Sequence, residues 1–227
     1  SIRRQRQMCI RDRDRLEILW AFQAIGVVDL PLWDTVASSP DSRARAAAMR
    51  VIDDWGPQSD GGLERLRQGI ADEHPQVRLE TVNTARYFDS DEAAAAALEA
   101  LDHPMDPYLD FALWETMRRL EPHWLPKFLT GKQTFEGNPR HVAFAINAVE
   151  KPQALNPLVD LLSAGKLDAR ATRDSISLVG KMGSPPQLNA IYEQALTNPA
   201  TRTAALAALV TAGSRAKPTT DLSRVTG

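Results

Sequence analysis

Cysteine is almost missing: Cys9 is the single one in 227 residues. That excludes an intrachain disulfide, a thiolate metal site and a CxxCH haem attachment within this chain. Long apolar runs are missing too. None approaches the ~20 residues that a bilayer-spanning helix needs, so direct membrane insertion is not expected. Excess positive charge is absent, since 27 Lys and Arg face 29 Asp and Glu for a net −2. A dominant nucleic-acid surface normally carries a basic stripe, so no nucleic-acid partner is expected. No stretch alternates apolar and polar residues as a strand would.

The motifs of common catalytic sites are lacking as well. His74, His103, His123 and His141 show neither HxxxH nor HExxH spacing, and His74 and His103 precede proline in expected turns. Asp106, Asp110, Glu115 and Glu121 could form a carboxylate pair for hydrolysis. Their helical spacing is accounted for more economically by surface and capping roles. Gly180 and Gly183 flank Lys181 without phosphate-loop spacing, and no nucleophile elbow occurs. The expectation is therefore a segment with no catalytic, cofactor-binding or metal-binding residues.

What is present includes two terminal stretches that stand apart. Residues 2–13 (IRRQRQMCIRDR) match a translated transposase sequencing adapter. Residues 1–13 are therefore expected to be adapter-derived, and the protein to begin upstream. Removing their five arginines and one aspartate from 27 basic and 29 acidic residues leaves 22 and 28, a net charge of −6. Residues 217–227 begin Lys217-Pro218-Thr219-Thr220 and read as a linker to a missing downstream domain.

Between them, over 14–216, the chain repeats itself. Pro40, Pro75, Pro107, Pro139 and Pro199 each follow Ser, His, Asp or Asn and precede a helical pattern. Proline suits the first helical turn, and Ser39, Asp106, Asn138 and Asn198 can cap it. Counting from each proline, the fourth position holds Ala44, Leu79, Phe111, Ala143 and Thr203. The seventh holds Ala47, Val82, Trp114, Ile146 and Leu206, and the tenth Arg50, Ala85, Met117, Val149 and Leu209. Steps of three and four share one helical face, so each segment predicts a helix with a mainly apolar stripe that Arg50 interrupts. Two further frames lack the proline, at positions 12 and 169, giving seven frames spaced 28, 35, 32, 32, 30 and 30 residues apart. Second helices are predicted over about 30–38, 62–72, 91–102, 122–130, 152–164 and 185–197. A helix pair of this size cannot bury its stripe alone. The predicted fold is all-α, a right-handed α-solenoid of about seven helix pairs.

The polar-Pro-x-x-Arg motif resembles the short bacterial kind of HEAT repeat. Arg43, Arg78 and Arg202 occupy the arginine position, with Arg15 in the first frame. The resemblance implies an inter-repeat polar ladder, which Asp110 and Val142 would interrupt. The stretch DHPMDPYLDFALWETMRRLEPHW (102–124), with 16–28, 39–55 and 72–88, also resembles the HEAT region of large bacterial membrane-bound dehydrogenases of the propeller–HEAT–cytochrome c kind. That resemblance implies a scaffold or protein-interaction module inside an extracytoplasmic redox protein, with haem c in a missing domain and no cofactor here. Its partner would be another protein or other domains of the same chain. Trp114, Arg118, His123 and Trp124 cluster in sequence as a possible recognition patch, because Trp and Arg are enriched at interface hot spots. The competing reading puts both tryptophans in the repeat core. Two alternative functions remain: a free-standing adaptor, and a HEAT-fold enzyme of the bilin lyase or DNA glycosylase type.

Overall fold

The computed structural model describes residues 2–56, 59–213, 215, 216 and 218, with side chains from residue 13 onward. The adapter reading of 1–13 and the linker reading of 217–227 thus fall almost wholly outside the described side chains. Among the described residues the chain is all-helical, with thirteen α-helices and no strand. They are α1 (Ile2–Ala24), α2 (Leu30–Ala37), α3 (Ser42–Trp55), α4 (Gly62–Ile70), α5 (Pro75–Ala85), α6 (Asp91–Leu98) and α7 (Pro107–Arg119). There follow α8 (Glu121–Leu129), α9 (Pro139–Val149), α10 (Leu155–Ser163), α11 (Ala169–Met182), α12 (Pro185–Thr197) and α13 (Arg202–Ala212). The six even-numbered helices lie where the sequence places second helices, within the usual uncertainty at helix ends.

The helix starts show why the frame works and where it slips. Pro75, Pro107 and Pro139 each occupy the first helical position, N1, of α5, α7 and α9. The Asp106 carboxylate accepts from the Tyr108 and Leu109 amides at 2.8 and 2.9 Å, and Asn138 accepts from the Arg140 amide. His74 caps as well: its Nδ1 accepts from the Gln76 amide at 3.3 Å. Pro40 and Pro199 are different. The cap of α3 is Asp41, whose carboxylate accepts from the Arg43 amide, so N1 is Ser42 and Pro40 lies outside the helix. Aspartate two residues nearer the apolar pattern out-competes Ser39. Pro199 likewise sits in a turn closed by the Thr201 amide on the Asn198 carbonyl, and α13 begins at Arg202.

Counted from N1, the stripe is regular. Position N1+6 holds Ala48, Thr81, Leu113, Ala145, Ser175 and Ala208, all buried. Position N1+10 holds Ile52, Ala85, Met117, Val149, Val179 and Ala212, all buried. Arg50 falls at N1+8, exposed, and pairs with Glu80 at 2.5 Å. The interruption at Arg50 thus disappears once the frame shifts by two.

The chain parts into two compact units, residues 1–127 and 128–227. In the first, α3 packs on α1 and α5, and α5 on α7, while α4 packs on α6 and on the odd helices beside it. In the second, α9, α11 and α13 pack in series and α10 packs on α12. Close approach is built in by glycine. A Cβ at Gly180 would lie 2.6 Å from the Ala208 Cβ, and one at Gly69 2.6 Å from Met49 Sδ, so small residues let helices touch.

Candidate recognition surface

The arginines sort by what they bridge. Arg43, the expected ladder residue of the second frame, is exposed and folds back on its own cap, Asp41, at 2.9 Å. Arg45 takes its place. Its Nη1 donates to the Ser39 carbonyl, six residues back, at 2.9 Å. Its Nε and Nη2 donate to the two Asp72 carboxylate oxygens at 2.7 and 2.9 Å. Arg78 repeats this pattern: Nη1 donates to the Asp72 carbonyl, also six back, at 2.8 Å, and Nη2 to the Pro104 carbonyl at 3.2 Å. Both are N1+3, so each ties its own turn to the next one. Arg202 caps the end of α12 instead, donating to the Ala195 and Leu196 carbonyls. The N1+3 positions of α7 and α9 are Asp110 and Val142, so the arginine link spans two turns and stops.

A second inter-helix link involves hydroxyls, and the sequence reading passed over it. Thr84 Oγ1 donates to the Met49 carbonyl and Thr116 Oγ1 to the Val82 carbonyl, both at 2.9 Å. Both threonines are N1+9 and both acceptors are N1+7 of the preceding odd helix. The available signal was that two threonines lie 32 residues apart at one offset from a helix start.

The four sequence-predicted patch residues separate. Trp124 is fully buried, and its Nε1 donates to the Met117 carbonyl at 2.9 Å. It belongs to the core and offers a partner nothing. Trp114 is 38% exposed, stacked on Phe111 at 5.9 Å between ring centroids, with the Arg118 guanidinium over its ring at 4.6 Å. Phe111 is 58% and Tyr108 77% exposed. Tyr108, Phe111 and Trp114 make an exposed aromatic ridge along α7, in which stacking holds Phe111 on Trp114 and the Arg118 guanidinium lies over the Trp114 ring. His123 lies elsewhere, with Nε2 3.5 Å from an Asp89 carboxylate oxygen. Sequence reasoning placed Phe111 and Trp114 on the buried stripe. In α7 that stripe runs instead through Leu109, Leu113, Thr116 and Met117.

The titratable groups serve structure. Burial pushes the Asp72 carboxyl up. The Arg45 hydrogen bonds, the His74 amide and the Arg45 charge outweigh it and hold Asp72 below the ordinary carboxylate range. For Asp91 burial again acts upward, and the Lys127 and Glu92 hydrogen bonds hold the carboxyl low. Asp53 goes the other way, raised by burial and by the neighbouring Asp54 charge. Asp106 is occupied in capping α7, and Glu115 pairs with Arg86 at 3.6 Å. Lys181, flanked by the two glycines, pairs with Glu150 at 2.7 Å beside an open groove floored by Ala204 and Ala207. Among the described residues no group of three His, Cys, Asp or Glu side chains could hold a metal ion. No described helix is long and apolar enough to cross a membrane.

Comparison with family models, curated proteins and solved structures returned no match to this chain.

Proposed function

We propose that this chain is a non-catalytic helical-repeat scaffold of the HEAT type, a solenoid segment that presents surfaces to other proteins or to other domains of its own chain. The observation that carries the reading is the recurrence of contacts at fixed positions. Buried N1+6 and N1+10 residues, N1+3 arginines tying successive turns, and N1+9 threonines reaching back to N1+7 carbonyls describe one unit laid on the next. Such an arrangement spends its polar groups on neighbouring repeats, and its exposed aromatic ridge is the kind of surface that partners use.

The parent protein is an extracytoplasmic dehydrogenase-like redox protein, in which this segment spaces a propeller from a haem c domain. This rests on the resemblance of stretches 16–28, 39–55, 72–88 and 102–124 and on no group in the chain. Sequencing the gene on both sides tests it. A propeller-type dehydrogenase upstream and a CxxCH motif downstream are the expected result; flanks holding neither overturn the parent assignment.

A further inference from the structure

The seam between successive odd helices is closed differently in the two units. Between α3 and α5, Glu80 at N1+5 of α5 reaches across to Arg50 at N1+8 of α3. Between α11 and α13 the corresponding N1+5 residue is Ala207, which answers no charge. Opposite it, Arg173, Ser177 and Lys181 follow one another at steps of four along α11, at N1+4, N1+8 and N1+12. The result is an open groove of about 350 Å³, lined on the α13 side by Ala204, Ala207, Ala208 and Thr211. It lies wholly within the second unit. Its polar groups are available. Among the described residues Arg173 and Ser177 hold no hydrogen-bond or ion-pair partner, and Asp174 beside Arg173 pairs with Arg170 at 3.7 Å. Lys181 pairs with Glu150, but both side chains are about half exposed. Such a pair is worth little, and a carboxylate from outside can replace Glu150.

Shape and charge together specify the occupant. Eight residues of helix separate Arg173 from Lys181, about 12 Å. One carboxylate does not span that distance. Two carboxylates four residues apart on an extended chain, about 13 Å, do. The residue midway between them faces the same side and meets the alanines. A helix of that length, about 10 Å across, would fill roughly 900 Å³ and does not fit the groove. We propose that the α11–α13 groove binds an extended acidic segment of a partner protein. One carboxylate lies at Arg173, a small apolar side chain rests on the alanine floor, and a second carboxylate takes the place of Glu150 at Lys181. The inference rests on the reading of the chain as a scaffold for other proteins and is independent of the flanking domains.

The probe is a fluorescently labelled, terminally blocked heptapeptide, Ser-Glu-Thr-Ala-Thr-Glu-Ser. Titrated with the full chain at low ionic strength, it should bind saturably by anisotropy. Arg173→Glu should weaken binding about tenfold or more, and a peptide with lysine in place of one glutamate should restore it. Ala207→Leu fills the floor without changing charge and should weaken binding about threefold or more. Glu150→Gln frees Lys181 and should strengthen it about two- to fivefold. All three positions are exposed, so the fold is spared, and an unchanged far-ultraviolet dichroism spectrum checks this. Absence of saturable binding, or a swap that restores nothing, overturns the proposal. Binding indifferent to Arg173→Glu or to Ala207→Leu lies elsewhere, as on the five arginines of residues 1–13, and overturns it too. A Glu150→Gln chain that binds no better leaves Lys181 outside the site and defeats the two-point contact. Displacement of the peptide by an equal concentration of inorganic phosphate would make the groove a small-anion site instead. Each of these failures leaves the flanking-gene test untouched.

Discussion

Arg45 and Arg43 are two residues apart and do opposite things. The Arg45 and Asp72 side chains are 12% and 13% exposed, and two hydrogen bonds join them. Removing one partner of such a pair strands the other charge away from water. Arg45→Ala is expected to cost about 3 kcal/mol in urea denaturation at neutral pH. Arg43→Ala, at an exposed pair, should cost under about 0.5 kcal/mol. The pH dependence has a definite sign. Asp72 is held below its ordinary value when folded, so its stabilisation is present above the unfolded carboxylate value of about 3.9. It fades as pH falls through the folded value, and the deficit of Arg45→Ala should shrink with it. The two tryptophans separate in the same way. Trp124→Ala leaves a cavity and an unmade hydrogen bond, for about 4 kcal/mol. Trp114→Ala loses only a stacked, partly exposed ring, for about 1–2 kcal/mol. Equal losses would return Trp114 to the core.

At the scale of the helix, what was legible in the sequence was existence and order. Steps of three and four residues place thirteen helices because burial of one face is a property of the chain's own periodicity. Register was less legible. It was read from proline, and proline tolerates N1 without requiring it. Asp41 and Thr201 set the starts of α3 and α13, and the two-residue slip sent the stripe through Arg50 when Ile52 was the buried residue. The hydroxyl link was illegible for a different reason. A threonine in mid-helix ordinarily bonds its own preceding turn, as Thr81 does to the Val77 carbonyl. Only packing reveals that Thr84 and Thr116 reach across. Each hydroxyl satisfies itself against a neighbouring helix, so Thr84→Val and Thr116→Val should each cost about 1 kcal/mol, near the net worth of a hydrogen bond. The two hydroxyls share no acceptor, but Thr116 bonds the Val82 carbonyl two residues from Thr84, so any departure from additivity in the double variant measures their coupling through α5. A loss within error for both would reduce the link to incidental contact.

For the molecule as a whole, fold class lies in the periodicity, whereas function does not lie in the side chains one at a time. The candidate patch was half legible. The sequence put Trp114 and Arg118 together, but it could not separate an exposed ring from the buried Trp124, since both sit in helical patterns ten residues apart. Exposure at Phe111 and Trp114 depends on how α7 is packed, information that its own periodicity does not carry. Charge is the whole-molecule property that a composition does carry. A helical-repeat DNA glycosylase must hold a duplex, and phosphate contacts give such binding a steep salt dependence. With a net charge of −2, or −6 without residues 1–13, this chain offers the duplex repulsion at long range. Several of the described cations are moreover drawn into pairs, among them Arg45 with Asp72, Arg50 with Glu80, Arg65 with Asp34, Lys127 with Asp91 and Lys181 with Glu150. Titration against duplex carrying an abasic or alkylated site, at low salt where any electrostatic attraction is strongest, should give no saturable binding. Tight binding that falls steeply as salt rises would mean that local cationic surface overrides net charge, and would move the chain into the catalytic class of helical-repeat proteins.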